Sequence, residues 1–510
     1  MSSSVRNSPG VTTLAEAAGN KRGASTASQN IPLLVRDKVS ERAKHTLDLV
    51  EKFVEEECIP ADPVFLAQIG QGDQRWSRHP RVIDDLKARA KEVGLWNMFL
   101  PKNHYKEGAG FTNLEYGLMA EYMGKSRVAS EVSYAQACFK VAHSSVDAVE
   151  TEKTQGFRDY SFFDTDNYLS PKAMNCAAPD TGNMEVLAKY GNDAQQEQWL
   201  KPLLNGDIRS AFLMTEPGVA SSDATNITLG MKKEGNDYII NGSKWWSSGA
   251  GDPRCMVYIV MGKTDPTNQN VHKQQSVLIV PANTKGITVE RMMSVYGYDD
   301  APHGHGHIIF NNVRVPAANL VLGEGRGFEI IQGRLGPGRI HHAMRSIGAA
   351  EKALEWMLAR VNDSSRKTFG KQLNEHGVIL EWIAKSRLEI DAARLIVLNA
   401  AAKIDESDAK SALKEIAEAK VLAPQVALTV IDRAVQCFGA AGVSQDTPLA
   451  SMWAQTRTLR IADGPDEVHL QQMGRSEDKY GEVIAERLRK QKQVTEKLFQ
   501  HYGLSLKSNL

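Results

Sequence analysis

The spacing of apolar residues changes twice along the chain, and the order of those changes restricts the fold more than any single motif. From Asp37 to Gly124 apolar residues recur at three and four, as in AKHTLDLVEKFVEEE and VIDDLKARAKEVGLW, and NMEVLAKYGNDAQQEQWLKPLLNG repeats the device over Asn183 to Gly206. From Ile208 the helical spacing gives way to short runs such as SAFLM, DYIING, CMVYIVMG, QSVLIVPA and HIIFNNVRV, each rich in Val, Ile, Tyr or Phe and bounded by Gly, Asn, Asp or Pro. After Gly327 helical spacing returns in long stretches, among them RIHHAMRSIGAAEKALEWMLARV and SALKEIAEAKVLAPQVALTVIDRAVQCFG. Strands and helices never alternate, which speaks against a Rossmann dinucleotide domain. The pattern predicts an α+β chain with a helical domain over 37–207, a β domain over 208–326 and a second helical domain over 327–490. Residues 1–36 read as a disordered leader and 491–510 as a tail. The polar, aperiodic stretch 133–167 reads as an insertion in the first domain, either a surface loop or translated non-coding sequence.

Lys plus Arg and Asp plus Glu both number 61, so bulk charge gives no electrostatic case for nucleic acid or an anionic membrane. A basic segment near the C-terminus, with Arg487, Arg489, Lys490, Lys492 and Lys497, is the local exception. The 5 cysteines lack C-x-x-C spacing, which argues for a reducing compartment and against a zinc or disulfide framework. No apolar run is long enough to predict a membrane span.

Several short motifs carry chemistry, each beside a plainer reading. MTEPGVASSD, Met214 to Asp223, leaves a strand for a loop of small residues whose N–H and hydroxyl groups suit a polar cofactor, or is a surface turn. NGSKWWSSG, Asn241 to Gly249, places two tryptophans on opposite faces of a strand, one free to cover a ligand, or both packed in the core. SSRKTFGKQLNEH offers Arg366 and Lys367 as an anion clamp or a solvated turn, and QCFGAAGVS ends a helix on residues small enough for close approach or on an ordinary glycine cap. In PHGHGH, His303, His305 and His307 share one strand face, but without a carboxylate they make a poor metal site. LRIADGPDEVHLQQMGR puts Asp463 just before a helix start marked by Pro465, Asp466 and Glu467, so Asp463 is either a helix cap or a positioned base.

Taken in this order, MTEPGVASSD, NGSKWWSSG, RKTFGKQLNEH and QCFGAAG resemble the flavin loop, the Trp strand, the Arg-Lys-x-Phe-Gly-Lys loop and the Gln-x-x-Gly-Gly segment of the acyl-CoA dehydrogenase family. The Trp-Trp-Ser-Ser-Gly and Ala-Asp-Gly-Pro-Asp-Glu-Val-His runs are most similar to the acyl-CoA dehydrogenase 10 and 11 type, without its separate N-terminal kinase-like part. The resemblance implies that family's fold, with FAD held at a subunit interface of a homodimer or homotetramer. It implies flavin contacts from Phe212, Met214, Thr215, Ser221, Ser222, Trp246 and Ser248. It assigns the adenine-diphosphate end, across the interface, to Arg366, Thr368, Phe369, Gln436, Gly439 and Ala440, and further cofactor contacts to Pro465 and Glu467. Ser222, Arg339 and Gly464 fall at substrate positions. No metal is implied.

The resemblance makes Asp463 the base that takes the α-proton of an acyl-CoA thioester. Some members carry their base at the position of Gly338, which has no carboxylate. The flavin loop is one residue longer than usual, and Asp463 is one methylene shorter than the family's Glu. Site enclosure is expected to raise the base against the opposing helix dipole. The expected reaction is dehydrogenation to a trans-2-enoyl-CoA in fatty acid β-oxidation, with electron-transferring flavoprotein or oxygen as acceptor. A nitroalkane-type oxidase or a DNA-associated relative of the fold is the alternative. The C-terminal Ser508-Asn509-Leu510 is similar to a peroxisomal address, while the leader leaves mitochondrion or cytosol open.

Overall fold

In a computed structural model, residues 26–102, 105–126 and 172–505 are described. The expected insertion at 133–167, the first part of the leader and the C-terminal tripeptide lie outside these residues.

The first layer comprises helices α1 (Glu41–Phe53), α2 (Ile59–Ile69), α3 (Arg81–Glu92), α4 (Asn113–Met123) and α5 (Asp180–Tyr190). Ser40 starts α1 by accepting a hydrogen bond from the Ala43 amide, and its hydroxyl donates to Glu115 of α4 at 2.6 Å, so one cap also docks two helices. Residues 26–36, expected to belong to a disordered leader, pack against the first layer instead. Ala27 and Ile31 are buried, and the amides of Ala27 and Ser28 donate to Glu51 and Asp48 of α1 at 2.8 and 2.7 Å.

Seven strands follow: β1 (Arg209–Leu213), β2 (Gly230–Glu234), β3 (Asp237–Ser248), β4 (Cys255–Lys263), β5 (Gln275–Pro281), β6 (Ile287–Met292) and β7 (His305–Pro316). They are ordered β1-β4-β2-β3-β7-β6, with β5 also on β4. The pairs β1–β4 and β2–β4 are parallel and the others antiparallel. Buried Val257, Ile259, Val277 and Ile279 of β4 and β5 join the core shared with the helices, while Tyr258, Val260, Leu278 and Val280 point into a second, purely β core. That alternation is the two-residue period of a strand buried on both faces.

Helices α6 (Gly327–Val361), α7 (Gly377–Glu406) and α8 (Leu413–Phe438) form the second helical layer, followed by α9 (Leu449–Thr458), α10 (Asp466–Asp478) and α11 (Gly481–His501). By composition α8 is apolar enough to cross a membrane, yet it buries Ile416, Ala419, Ala423, Ala427, Val430 and Ile431 in the bundle. Gly124 and Gly348 let α4 cross α6 closely, because a Cβ on either would collide with the other helix's backbone. An ion network then ties α4, α6 and α7: Arg394 donates to Glu121 at 2.9 Å and Arg387 to Glu351 at 2.7 Å. The expected boundary at 490 falls inside α11. Its strong helix formers, with Lys490 3.6 Å from Glu486, carry the helix on to His501.

Candidate active site

Gly464 adopts φ 99 and Pro465 is the N-cap of α10, so Asp463 stands outside the helix, itself at φ 53. Asp tolerates this left-handed conformation better than most residues. The cap reading is therefore corrected: the Asp463 carboxylate turns away from the helix, and its Oδ2 lies 3.3 Å from Nε2 of His342 on α6. A Cβ added at Gly338 would also sit 3.3 Å from Oδ2. Arg334, Gly338 and His342 are spaced by four, so they share one helical face, and that face meets the carboxylate. The two base positions known to the family thus point at one place.

The loop that carries Asp463 is held by its carbonyls. Arg339 Nε donates to Asp463 O at 2.9 Å, His469 Nε2 lies 3.4 Å from the same oxygen, and buried Lys420 donates its ammonium to Gly464 O. Asp466 takes Arg460 at 2.6 Å and lies 3.5 Å from Lys420. The amides of Asp463, Gly464 and Glu467 find no acceptor among the described residues, which leaves three free donors in the loop that carries the Asp463 carboxylate. Burial pushes the Asp463 carboxyl upward, but His342, with Arg334 and Arg339 beyond it, outweighs burial and holds the group well below its ordinary value. The expected upward shift is reversed because the apposed cations could not be seen in sequence. Burial also pulls Lys420 down to about 8, against the attraction of Asp466 and Asp463.

The flavin-loop motif is braced by a buried pair that sequence reasoning did not single out. Glu216 accepts from the amides of Thr228 and Leu229 at 2.7 and 2.9 Å and from Lys244 at 2.8 Å, while Lys244 donates to Met214 O at 2.7 Å. Ser221 Oγ accepts from the Glu216 amide at 3.0 Å, and the Trp245 amide donates to Thr215 O at 3.0 Å. The loop and the Trp strand are therefore one assembly. Ser222, by contrast, is exposed.

The tryptophans do not simply alternate across the strand. The β3–β7 register shifts between Lys244 and Ser247, and Trp246 takes φ 53, leaving the two rings edge to face with centroids 6.3 Å apart. Ser248 Oγ lies 2.9 Å from His305 Nδ1, whose ring is 5.9 Å from Trp246. His303 pairs with Asp252 and His307 with Glu290, both at 2.8 Å, so the three histidines go to separate partners. At the end of β1, the Phe212 ring lies 4.0 Å under the guanidinium of Arg334, which links this assembly to the helix face beneath Asp463.

The remaining predicted residues lie elsewhere in the chain. Arg366 and Phe369 follow the far end of α6, with Thr368 and Lys367 opposite Lys371 and Gln372 in a short hairpin. Phe369 is 96% exposed, and Gln436, Gly439 and Ala440 at the end of α8 are exposed as well. From Gly338 to Val361 the helix rises about 35 Å at 1.5 Å per residue, so these two groups of residues are well separated within one chain. Arg360 bonds Phe438 O at 3.3 Å and keeps the second group together.

Known proteins resemble this chain over most of its length. The acyl-CoA dehydrogenase C-terminal domain model matches residues 325–477, and the middle domain model matches 211–313. FadE2 of Mycobacterium tuberculosis, named as an acyl-CoA dehydrogenase, is 49% identical over 398 residues, covering 78% of this chain and 86% of that protein. The chain belongs to the acyl-CoA dehydrogenase family. Members of that family are FAD-dependent oxidoreductases. Acyl-CoA dehydrogenase family member 11 of Gallus gallus is 47% identical over 442 residues, 86% of this chain and 51% of that one. The chain spans about half the length of such longer curated relatives. A solved structure assigned to the acyl-CoA dehydrogenases, from Mycobacterium abscessus, is 44% identical, covers 87% of this chain and 99% of that one, and superposes with a TM-score of 0.76.

Family FAD fits what the residues offer. Trp245 Nε1 and Ser247 Oγ are buried without a partner among the described residues, on the strand bonded to the flavin loop. Two orphaned polar groups beside an open loop of small residues suit a polar cofactor. Of the residues missed from sequence, His342 had a usable signal, one helical turn after Gly338 in GRIHH. Lys420 had none, since nothing in SALKEIAEAKVL separates it from its surface neighbours.

Proposed function

We propose that the chain dehydrogenates an acyl-CoA to the trans-2-enoyl-CoA, as a step of fatty acid β-oxidation. The observation that carries this is the Asp463 carboxylate, ionised, set outside a helix and facing His342 and Gly338 beside the flavin-loop assembly. Asp463 takes the α-proton onto its carboxylate. Free amides of the same loop are available to the thioester oxygen as negative charge develops there, which lowers the barrier to removing a weakly acidic proton. Arg339, Lys420 and His469 hold the loop backbone, so the carboxylate is aimed before substrate arrives. Bound FAD would supply the acceptor for the hydride leaving Cβ.

Phe212, Met214, Thr215, Ser221, Trp246 and Ser248 would hold the flavin end. The separated Arg366 and Gln436 groups would reach the nucleotide end of a cofactor bound by a second copy. Exposed Phe369, Val378, Leu380 and Leu388 support that homodimer, or a tetramer built from it. Electron-transferring flavoprotein or oxygen would reoxidise the cofactor, and a peroxisomal site of action is proposed from the C-terminal tripeptide.

Asp463→Asn tests the assignment. The amide keeps the shape, so FAD occupancy should stay full while anaerobic bleaching by an acyl-CoA falls by about 10²-fold or more. Bleaching near the wild-type rate would overturn it.

A further inference from the structure

His305 opens β7 where that strand meets the end of the Trp strand. Ser248 and His305 are direct partners in the β3–β7 register, and Ser248 Oγ lies 2.9 Å from His305 Nδ1. The same imidazole stands 5.9 Å from the ring of Trp246. His305 is completely buried, whereas Ser248 and Trp246 keep part of their surface open. One hidden ring therefore backs both of these strand residues. The backbone fixes its place from either side: the Gly304 carbonyl accepts from the Gly249 amide at 3.0 Å, and the His305 carbonyl accepts from the Met293 amide at 2.8 Å. His303 and His307 are tied to Asp252 and Glu290, so of the three histidines His305 is the one that turns to Ser248.

A serine hydroxyl has one proton to give and two lone pairs to offer. A neutral imidazole carries its proton preferentially on Nε2, which leaves Nδ1 as the acceptor. If the Ser248 hydroxyl donates to Nδ1, its oxygen presents only lone pairs to whatever lies on its open side. Two-electron reduction turns the bare ring nitrogens of a flavin from acceptors into N–H donors. An oxygen restricted to accepting therefore stabilises the reduced ring over the oxidised one.

On the flavin placement given under the proposed function, we propose that His305 is a positioning residue for the redox step: it holds the Ser248 hydroxyl proton in a hydrogen bond to Nδ1, so that Ser248 Oγ meets the flavin as an acceptor and favours its reduced form. His305 acts only through Ser248. No atom is transferred between the two; the direction of one hydrogen bond is set before hydride arrives.

The experiment is the reduction potential of FAD bound to the purified full chain, measured by equilibration with a reference dye. Wild type is compared with His305→Leu, Ser248→Ala and the double variant. His305→Leu should shift the oxidised-to-reduced ratio at a fixed dye potential toward oxidised by about three- to tenfold, equivalent to a potential about 15–30 mV lower for a two-electron couple. Ser248→Ala should shift in the same direction, and adding His305→Leu to it should shift the ratio no further. His305→Asn, which returns a polar atom near the place of Nδ1, should recover part of the loss. An unchanged or raised potential in His305→Leu would overturn the proposal, as would equal shifts with and without the Ser248 hydroxyl, the mark of a merely structural effect. A shift in Ser248→Ala without one in His305→Leu keeps the flavin placement and removes His305 from it. No shift in either removes both. If His305→Leu loses its flavin, His305→Gln, whose polar atoms lie toward the place of Nε2, takes its part in the same cycle with the same outcomes.

Discussion

Replacing His342 with Phe tests how the base is set. His342 Nε2 lies 3.3 Å from Asp463 Oδ2, and the two side chains are 6% and 15% exposed, so solvent screens the contact little. A hydrogen bond to a buried charged group contributes about 1.5–3 kcal/mol, equivalent to roughly one to two pKa units. Without it the Asp463 carboxyl should rise at least toward its ordinary value of about 3.9, and burial then pushes it further. Because the wild-type value is depressed, its stabilising effect is present above the unfolded-state pKa and is lost as pH falls through the folded-state value. His342→Phe should therefore be less stable than wild type by about 1.5–3 kcal/mol near neutral pH, with the difference closing in strong acid. The kinetic signature lies in kcat/KM, which reports the free enzyme. The acid limb that Asp463 contributes should lie about one to two pH units higher in the variant than in wild type. Anaerobic stopped-flow bleaching of the flavin by an acyl-CoA, over a pH series, reads this directly. Superimposable pH profiles, together with equal denaturant midpoints, would refute the claim that His342 sets the base.

Other expectations follow from the same geometry. Arg366→Ala removes a charged contact from the exposed loop and should lower FAD occupancy of the purified protein, read from the ratio of flavin to protein absorbance; full occupancy would count against a cofactor shared between copies. Glu216→Gln leaves Lys244 buried and unpaired, and the loss of one partner of such a pair costs about 3–5 kcal/mol, so both the unfolding midpoint and flavin retention should drop. An unshifted midpoint would mean the pair is not what braces the flavin loop. Removing Ser508 to Leu510 from an N-terminally tagged chain should disperse a punctate peroxisomal signal in cells, and unchanged puncta would dismiss the tripeptide as an address.

The order of helices, strands and helices was readable in the sequence because burial imposes a period on every packed element. Periods of 3.6 and 2 survive in the spacing of Leu47, Val50 and Val54 and of Val257, Ile259 and Met261, all fully or almost fully buried. Asp463 was readable as well, as a carboxylate beside a Gly-Pro break. Its environment was not. A helix presents a face every fourth residue, and nothing local says which face meets which loop, so Arg334, Gly338 and His342 gain their meaning only from the crossing of α6 with the segment before α10. Lys420 and Arg339 were invisible as loop holders for the same reason, being separated in sequence from the carbonyls they bind. The sign of the Asp463 shift went the same way. Burial alone predicts a weaker acid, and only the placement of His342, Arg334 and Arg339 around one carboxylate reverses it. Sequence by itself determined the elements, the family and the candidate for the base, because these rest on short-range patterns. Tertiary structure decided the acid strength of the Asp463 carboxyl and the bracing of the flavin-loop motif, because electrostatic energies depend on distances between residues far apart in the chain.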